Sequence, residues 1–195
     1  MSTELFTNDG NRKYLTSDEQ MAFLDAGSQQ PRPEVRTLCM TLAYTGCRIS
    51  EALQLSPARV DLSAKAITFQ TLKQRGKTRF RSVPVPDELL EALELVHRIR
   101  KLQKSKDGGK SDLLWTWGRT QATKHIIEVM ALAGVSGAHA TTRGLRHGFG
   151  VRMAQKTRNP RLIQKWLGHT KLENTAIYMD LVGDEERAEA VNAWN

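Results

Sequence analysis

Residues 141–178 read TTRGLRHGFGVRMAQKTRNPRLIQKWLGHTKLENTAIY, and three helices can be marked off within them. The first runs over 145–153, after Thr141-Thr142. Asn159-Pro160 supplies an N-cap oxygen and a first-turn proline, a position where a helix has no use for the missing N–H, so a short helix follows and ends at Gly168. Thr170 and Glu173 stand at capping-box spacing. This spacing predicts a third helix, with Tyr178 about two turns into it and His169 directly before its cap. Arg143, Arg146, Arg152, Lys156, Arg158, Arg161, Lys165 and Lys171 follow one another with no Asp or Glu between them. Beyond Tyr178 the sign reverses through Asp180, Asp184, Glu185, Glu186 and Glu189, which sets the expected end of a surface facing a polyanion.

Upstream, Thr16 and Glu19 form another capping-box pair before Met21, Phe23 and Leu24. Pro31 and Pro33 break that helix. A second apolar helical run through Val35, Leu38, Leu42 and Ala43 stops at Thr45-Gly46, and a third through Ile49, Ala52, Leu53 and Leu55 ends before Pro57, so Arg48 stands at the junction of two helices. From Val60 to Pro86 the period becomes two. Residues 67–69 and 80–85 read as antiparallel strands joined by Lys73-Gln74-Arg75-Gly76-Lys77, with Lys73 at or near the turn. Lys73, Arg75, Lys77, Arg79 and Arg81 either face water or form a phosphate-facing ribbon; both readings stand. Asp87 begins a long helix through Leu90, Leu93, Val96, Ile99 and Leu102, acidic at its start and basic at its end. Residues 107–110 read as a mobile turn, Leu113 to Trp117 return to the core, and His125 is a structural or surface residue on a further helix.

The chain has 195 residues, 39% apolar and 26% charged, enough for one compact unit with a real core. Cys39 and Cys47 lack CxxC pairing and sit in apolar surroundings, as reduced core thiols do. The histidines lack zinc-like pairing. No apolar run reaches the roughly 18 residues that read as a membrane span, and the first residues lack a signal pattern, so a cytoplasmic protein is expected. A net charge of +8 favours a polyanionic partner through its summed field and counterion release.

Arg48, Lys73, Arg143, Arg146, His169 and Tyr178 are distant in sequence but can be tested as one constellation. The segments that carry them are Thr45-Gly46-Cys47-Arg48-Ile49-Ser50-Glu51, Lys73 in the β-element, Leu145-Arg146-His147, Leu167-Gly168-His169, and Tyr178 nine residues beyond that histidine. In their order and spacing the chain closely resembles the catalytic domain of tyrosine recombinases, the phage-integrase-like family, from about Thr16 to Asp180. The resemblance implies a mainly α fold with a small antiparallel β-sheet, in agreement with the helical and strand periods. It assigns Arg48 and Arg146 to the nonbridging oxygens of a scissile phosphate. Guanidinium groups suit that task, since they donate several charge-assisted hydrogen bonds to developing charge. It makes Tyr178 the nucleophile that forms a 3′-phosphotyrosine, Lys73 the acid for the leaving 5′-oxygen, and His169 a donor to the phosphate. No cofactor or metal is implied.

One position departs from the pattern. Arg143 stands where the family usually has histidine, and arginine is a poor base at neutral pH. An added phosphate contact is the mildest reading; weaker activity, or dependence on neighbouring subunits or another protein, are the others. His139, one turn upstream, is off the family spacing. His147 follows Arg146 and diverges from it by about 100 degrees on a helix, which reads as a structural hydrogen-bonding residue. Glu51, three residues after Arg48, either orients that guanidinium or makes an ordinary helix-surface pair.

The family commonly carries an N-terminal DNA-clamping domain. Here the pattern begins near Met1, so residues 1–195 read as a single catalytic domain with no separate core-binding domain, resembling the minimal bacterial fimbrial-switch invertases, or as a fragment of a longer protein. Ala188, Val191 and Trp194 recur at three-residue spacing in a tail, 181–195, that packs on its own domain or exchanges with a neighbour. The resemblance implies double-stranded DNA as partner, a monomer when free, a tetramer on paired sites, and accessory DNA-bending proteins in some settings. Site-specific strand exchange without nucleotide hydrolysis is the leading expectation. Relaxation of supercoils in the manner of a type IB topoisomerase, and a noncatalytic DNA-binding regulator that keeps the fold, are the alternatives.

Overall fold

A computed structural model of the chain describes residues 5–74, 77–181, 191 and 193, without the side chains of 72–78. Its elements run α1 (Ser17–Ser28), α2 (Pro33–Thr45), α3 (Ile49–Ala52), a 3₁₀ turn at Pro57–Arg59, β1 (Val60–Asp61), β2 (Ala66–Gln74), β3 (Lys77–Pro84), α4 (Asp87–His97), α5 (Ile99–Gln103), α6 (Arg119–Leu132), α7 (Thr142–Thr157), α8 (Pro160–Leu167) and α9 (Glu173–Met179). The architecture is mainly helical, with one three-stranded antiparallel sheet in the order β1-β2-β3. No helix among the described residues is long and apolar enough to cross a membrane.

Local chemistry sets most boundaries. The Thr16 hydroxyl accepts from the Glu19 N–H while the Glu19 carboxylate accepts from the Thr16 N–H, so the box forms in full. Asn159 accepts from the N–H groups of Arg161 and Leu162 at the head of α8. Helix α2 ends at Gly46, whose φ of 58° is left-handed, and a Cβ there would lie 2.5 Å from the Phe149 ring. Glycine therefore makes the corner that turns the chain into Arg48.

The main core joins α1, α2, α4, α6 and the inner face of the sheet around Phe23, Leu38, Leu42, Ile67, Phe69, Leu89, Leu93, Ile126 and Leu145. Cys39 and Cys47 are free, buried thiols within it, as expected, and burial pushes both up to about 12. A second apolar cluster gathers Leu5, Phe149, Val151, Ala154, Ile163, Leu167 and Tyr178 between α7, α8 and α9. The expected nucleophile is part of this second core.

Several boundaries differ from expectation. The helix from Asp87 divides at Arg98, whose φ of 53° is left-handed, and the break turns Ile99 fully inward while the Glu94 carboxylate accepts from the Arg100 N–H. The 107–110 turn is pinned: the Asp107 carboxylate accepts from the Ser105 hydroxyl and from the N–H groups of Gly109 and Ser111. Strands β2 and β3 extend into the expected turn as far as a Gln74↔Lys77 pair, with a register irregularity between Thr71 and Gln74. Residues 75 and 76 lie outside the described residues. Thr170 does not cap the last helix. Helix α9 begins at Glu173 after Leu172, with no side-chain cap, and Tyr178 sits in its closing turn.

Candidate active site

Arg48 occupies the N-cap position of α3, and its geometry is set by Glu51. The Glu51 carboxylate accepts from the Arg48 backbone N–H at 2.8 Å and from Arg48 Nη1 at 2.9 Å. Buried Arg81 approaches the same carboxylate from β3, with Nη1–Oε1 at 3.1 Å and Nη2–Oε2 at 2.6 Å, and donates from Nε to the Trp166 carbonyl. Burial alone would raise the Glu51 pKa, but the hydrogen bonds and charges of Arg81 and Arg48 outweigh it and hold the group below the ordinary value. One carboxylate thus serves two guanidinium groups. Arg48 remains 39% exposed, free to turn toward an anion.

Arg146 comes from the buried face of α7. It donates from Nη1 to the Gly46 carbonyl and from Nη2 to the Leu167 carbonyl, both at 2.7 Å. These bonds tie the corner before Arg48 to the end of α8, and the remaining donors of the fork are left for a ligand. Burial, followed by the nearby charge of Arg48, lowers its pKa to about 10, so it remains a cation at neutral pH.

Tyr178 is 2% exposed. Its ring stacks on His169, with centroids 6.1 Å apart and planes 16° apart, and His169 Nδ1 lies 3.0 Å from the Thr175 hydroxyl. That contact leaves Nε2 as the His169 nitrogen suited to meet a phosphate. Tyr178 Oη lies 2.9 Å from His147 Nδ1, and Arg143 Nε donates to His147 Nε2 at 3.2 Å. Burial pushes the phenol up to about 12 against the opposing pull of Arg146, Arg143 and Arg48. It pushes His169 down to about 3, aided by Arg146 and Arg48, and His147 down to about 4, aided by Arg143 and Arg146. Both imidazoles are neutral at pH 7.

Of the expected constellation, Arg48, Arg143, Arg146, His169 and Tyr178 come together at the meeting of α3, α7, α8 and α9. Lys73 falls in β2; its side chain lies outside the described residues. Ala188 and Trp194 also lie outside them. His139 is engaged elsewhere, its Nε2 3.1 Å from Glu19 Oε1. His147 does form hydrogen bonds, but one partner is the phenol itself. Arg81 belongs to neither expected reading of the hairpin, since it faces inward. Strand alternation with buried Val83 and Val85 was the available signal. Thr175 carried none. Arg79, Arg161, Lys165 and His169 line a groove of about 320 Å³ between β3 and α8, open beside the site. No group of three or more His, Cys, Asp or Glu among the described residues is placed to hold a metal ion.

The phage integrase family model matches residues 13–184. A tyrosine recombinase of Thermosipho africanus is 26% identical over 183 residues, covering 91% of this chain and 60% of that protein. Tyrosine recombinase XerC of Pseudomonas putida is 28% identical over 173 residues, covering 87% of this chain and 56% of its own length. The chain therefore spans little more than half of these relatives. The type 1 fimbriae regulatory protein FimE of Escherichia coli is 28% identical over 171 residues, covering 86% and 85%. XerH site-specific recombinase, solved on its difH substrate, superposes with a TM-score of 0.76 at 24% identity, over 93% of this chain and 53% of that one. The catalytic domain of bacteriophage HP1 integrase does so at 0.63 and 22%, over 92% and 93%. These superpositions establish the fold.

Proposed function

The chain belongs to the phage integrase family, and on that footing we propose that it is a site-specific DNA recombinase that cleaves and rejoins strands through a 3′-phosphotyrosine at Tyr178. The observation that carries the reading is the placement of Tyr178 within the field of three arginines, Arg146, Arg143 and Arg48, and in stacking contact with His169.

Tyr178 Oη attacks phosphorus in line, the P–O5′ bond breaks, and the departing oxygen takes a proton from the Lys73 ammonium. Arg48 and Arg146 donate to the nonbridging oxygens, and His169 adds a neutral donor from Nε2. Arg143 adds a further phosphate contact. In the reverse step a 5′-hydroxyl from a second duplex attacks the phosphotyrosine, so the backbone energy is conserved in the ester. Because Tyr178 is buried, DNA must also shift α9 enough for Oη to reach phosphorus.

The partner is double-stranded DNA, held by the basic groove between β3 and α8, with assembly of a tetramer on paired sites and accessory DNA-bending proteins where a site requires them. A labelled duplex selected by binding from a random pool, nicked beside the scissile phosphate so that the short product escapes, tests the chemistry. The expected result is an SDS-stable protein–DNA adduct in wild type and none in Tyr178→Phe, with DNA binding equal in both. Equal adduct yield from both proteins would overturn the assignment of Tyr178.

A further inference from the structure

His147 stands between two groups of opposite chemistry. Arg143 has donors and no acceptor, so the nitrogen it touches, His147 Nε2, must be bare. In a neutral imidazole the proton is then on Nδ1, and that N–H donates to Tyr178 Oη. In this arrangement one lone pair of the nucleophile is therefore occupied by a donor, and among the described residues no base touches its proton.

We propose that His147 is the general base for Tyr178 and that Arg143 controls it, an inference that rests on the DNA-cleavage reading above. While Arg143 donates to Nε2, His147 can only donate to the phenol. When the scissile phosphate draws Arg143 away, the imidazole exchanges its proton through solvent, ending protonated on Nε2 with Nδ1 bare. Nδ1 then accepts the phenolic proton as Oη bonds to phosphorus. In that step the O–H and P–O5′ bonds break, the Oη–P bond forms, His147 becomes imidazolium, and Lys73 gives its proton to the 5′-oxygen. Religation runs the same transfers backward.

The surroundings favour this division of labour. Burial first, then the charges of Arg143 and Arg146 from α7 and Lys13 from the N-terminal segment, disfavour the imidazolium, while Tyr178 of α9 and neutral His169 complete the groups facing the ring. A phosphate that pairs with the two arginines offsets their charge and leaves burial as it is, so His147 gains basicity through the electrostatic part alone when substrate is in place. The usual family histidine is absent at Arg143, and here the ring that meets the phenol comes from one turn later on the same helix.

Single-turnover adduct formation measured from pH 6 to 10 tests the base. Wild type should show a shallow profile. His147→Asn keeps a donor near the Nδ1 position but cannot serve as a base. It should bind DNA like wild type, cleave about 100-fold more slowly at pH 7, and recover about tenfold per pH unit as Tyr178 ionises unaided. His147→Ala should behave alike. Cleavage by the Asn variant at the wild-type rate, or a slow rate with the wild-type pH profile, would overturn the proposal while leaving the recombinase reading intact. No adduct from wild type at any pH would sink both. Nitrogen-15 shifts of His147 should report Nδ1–H in the free protein and Nε2–H with uncleaved DNA; an unchanged tautomer would overturn the control by Arg143.

Discussion

Arg81 and Glu51 form a buried ion pair, with Nη2 2.6 Å from Oε2, and Arg48 hydrogen-bonds to the opposite oxygen of the same carboxylate. Arg81 thereby satisfies the deep side of Glu51 and leaves Arg48 as its outer, half-exposed partner. Arg81→Met would leave Glu51 buried with one cation and draw Arg48 inward. The expected loss is about 3–5 kcal/mol in denaturant unfolding, with slower cleavage in whatever fraction stays folded. Arg81→Met as stable as wild type would contradict the role given to this pair.

Gly150 makes room for the Tyr178 ring. A Cβ at this position would lie 2.6 Å from Cζ and 2.7–2.8 Å from both Cε atoms, so the phenol or α7 has to move. Gly150→Ala should destabilise by about 1–3 kcal/mol and bring Tyr178 out of its buried position. Ultraviolet titration should then show one phenol ionising at lower pH than in wild type, where burial pushes Tyr178 up to about 12. An unchanged titration would mean that the ring stays in place.

Acid should weaken the fold through three neutral histidines, His147 buried and His97 and His169 half-buried. Burial is the leading cause in each case, lowering His97 to about 4, His147 to about 4 and His169 to about 3 from 6.5. The unfolded chain binds protons first, so their contribution is fully present above pH 6.5 and is lost as the pH falls from there toward 4 for His97 and His147 and toward 3 for His169. Denaturant midpoints across that window should drop, with a slope of up to about one proton per histidine, and His97→Phe should flatten the slope.

Arg161 and Lys165 line the groove beside His169. As phosphate contacts they should set affinity without base preference. Arg161→Ala and Lys165→Ala should each weaken binding on all duplexes alike and reduce the slope of log affinity against log salt by about 1. An unchanged slope would remove the groove from the DNA path.

Legibility in the sequence followed the range of the interactions. Thr16 with Glu19, Asn159 with Pro160, and Gly46 were readable because each acts within one turn of its own backbone. Thr170 failed as a cap although its spacing was right, because spacing does not report whether the residues between adopt a helix. That Arg48, Arg146, His169 and Tyr178 would lie close together was legible through motif order. Arg81 was not, since a basic run on a hairpin suggests solvent, and the buried carboxylate that holds it is thirty residues away. The contact of His147 with Tyr178 likewise spans α7 and α9 and depends on how those helices pack.

The most direct test is to digest the protein–DNA adduct and find which peptide carries the nucleotide by mass spectrometry. The chain contains three tyrosines, Tyr14, Tyr44 and Tyr178. The nucleotide should be esterified through its 3′-phosphate to Tyr178 alone; attachment to Tyr14, Tyr44 or a residue other than tyrosine would contradict the assignment.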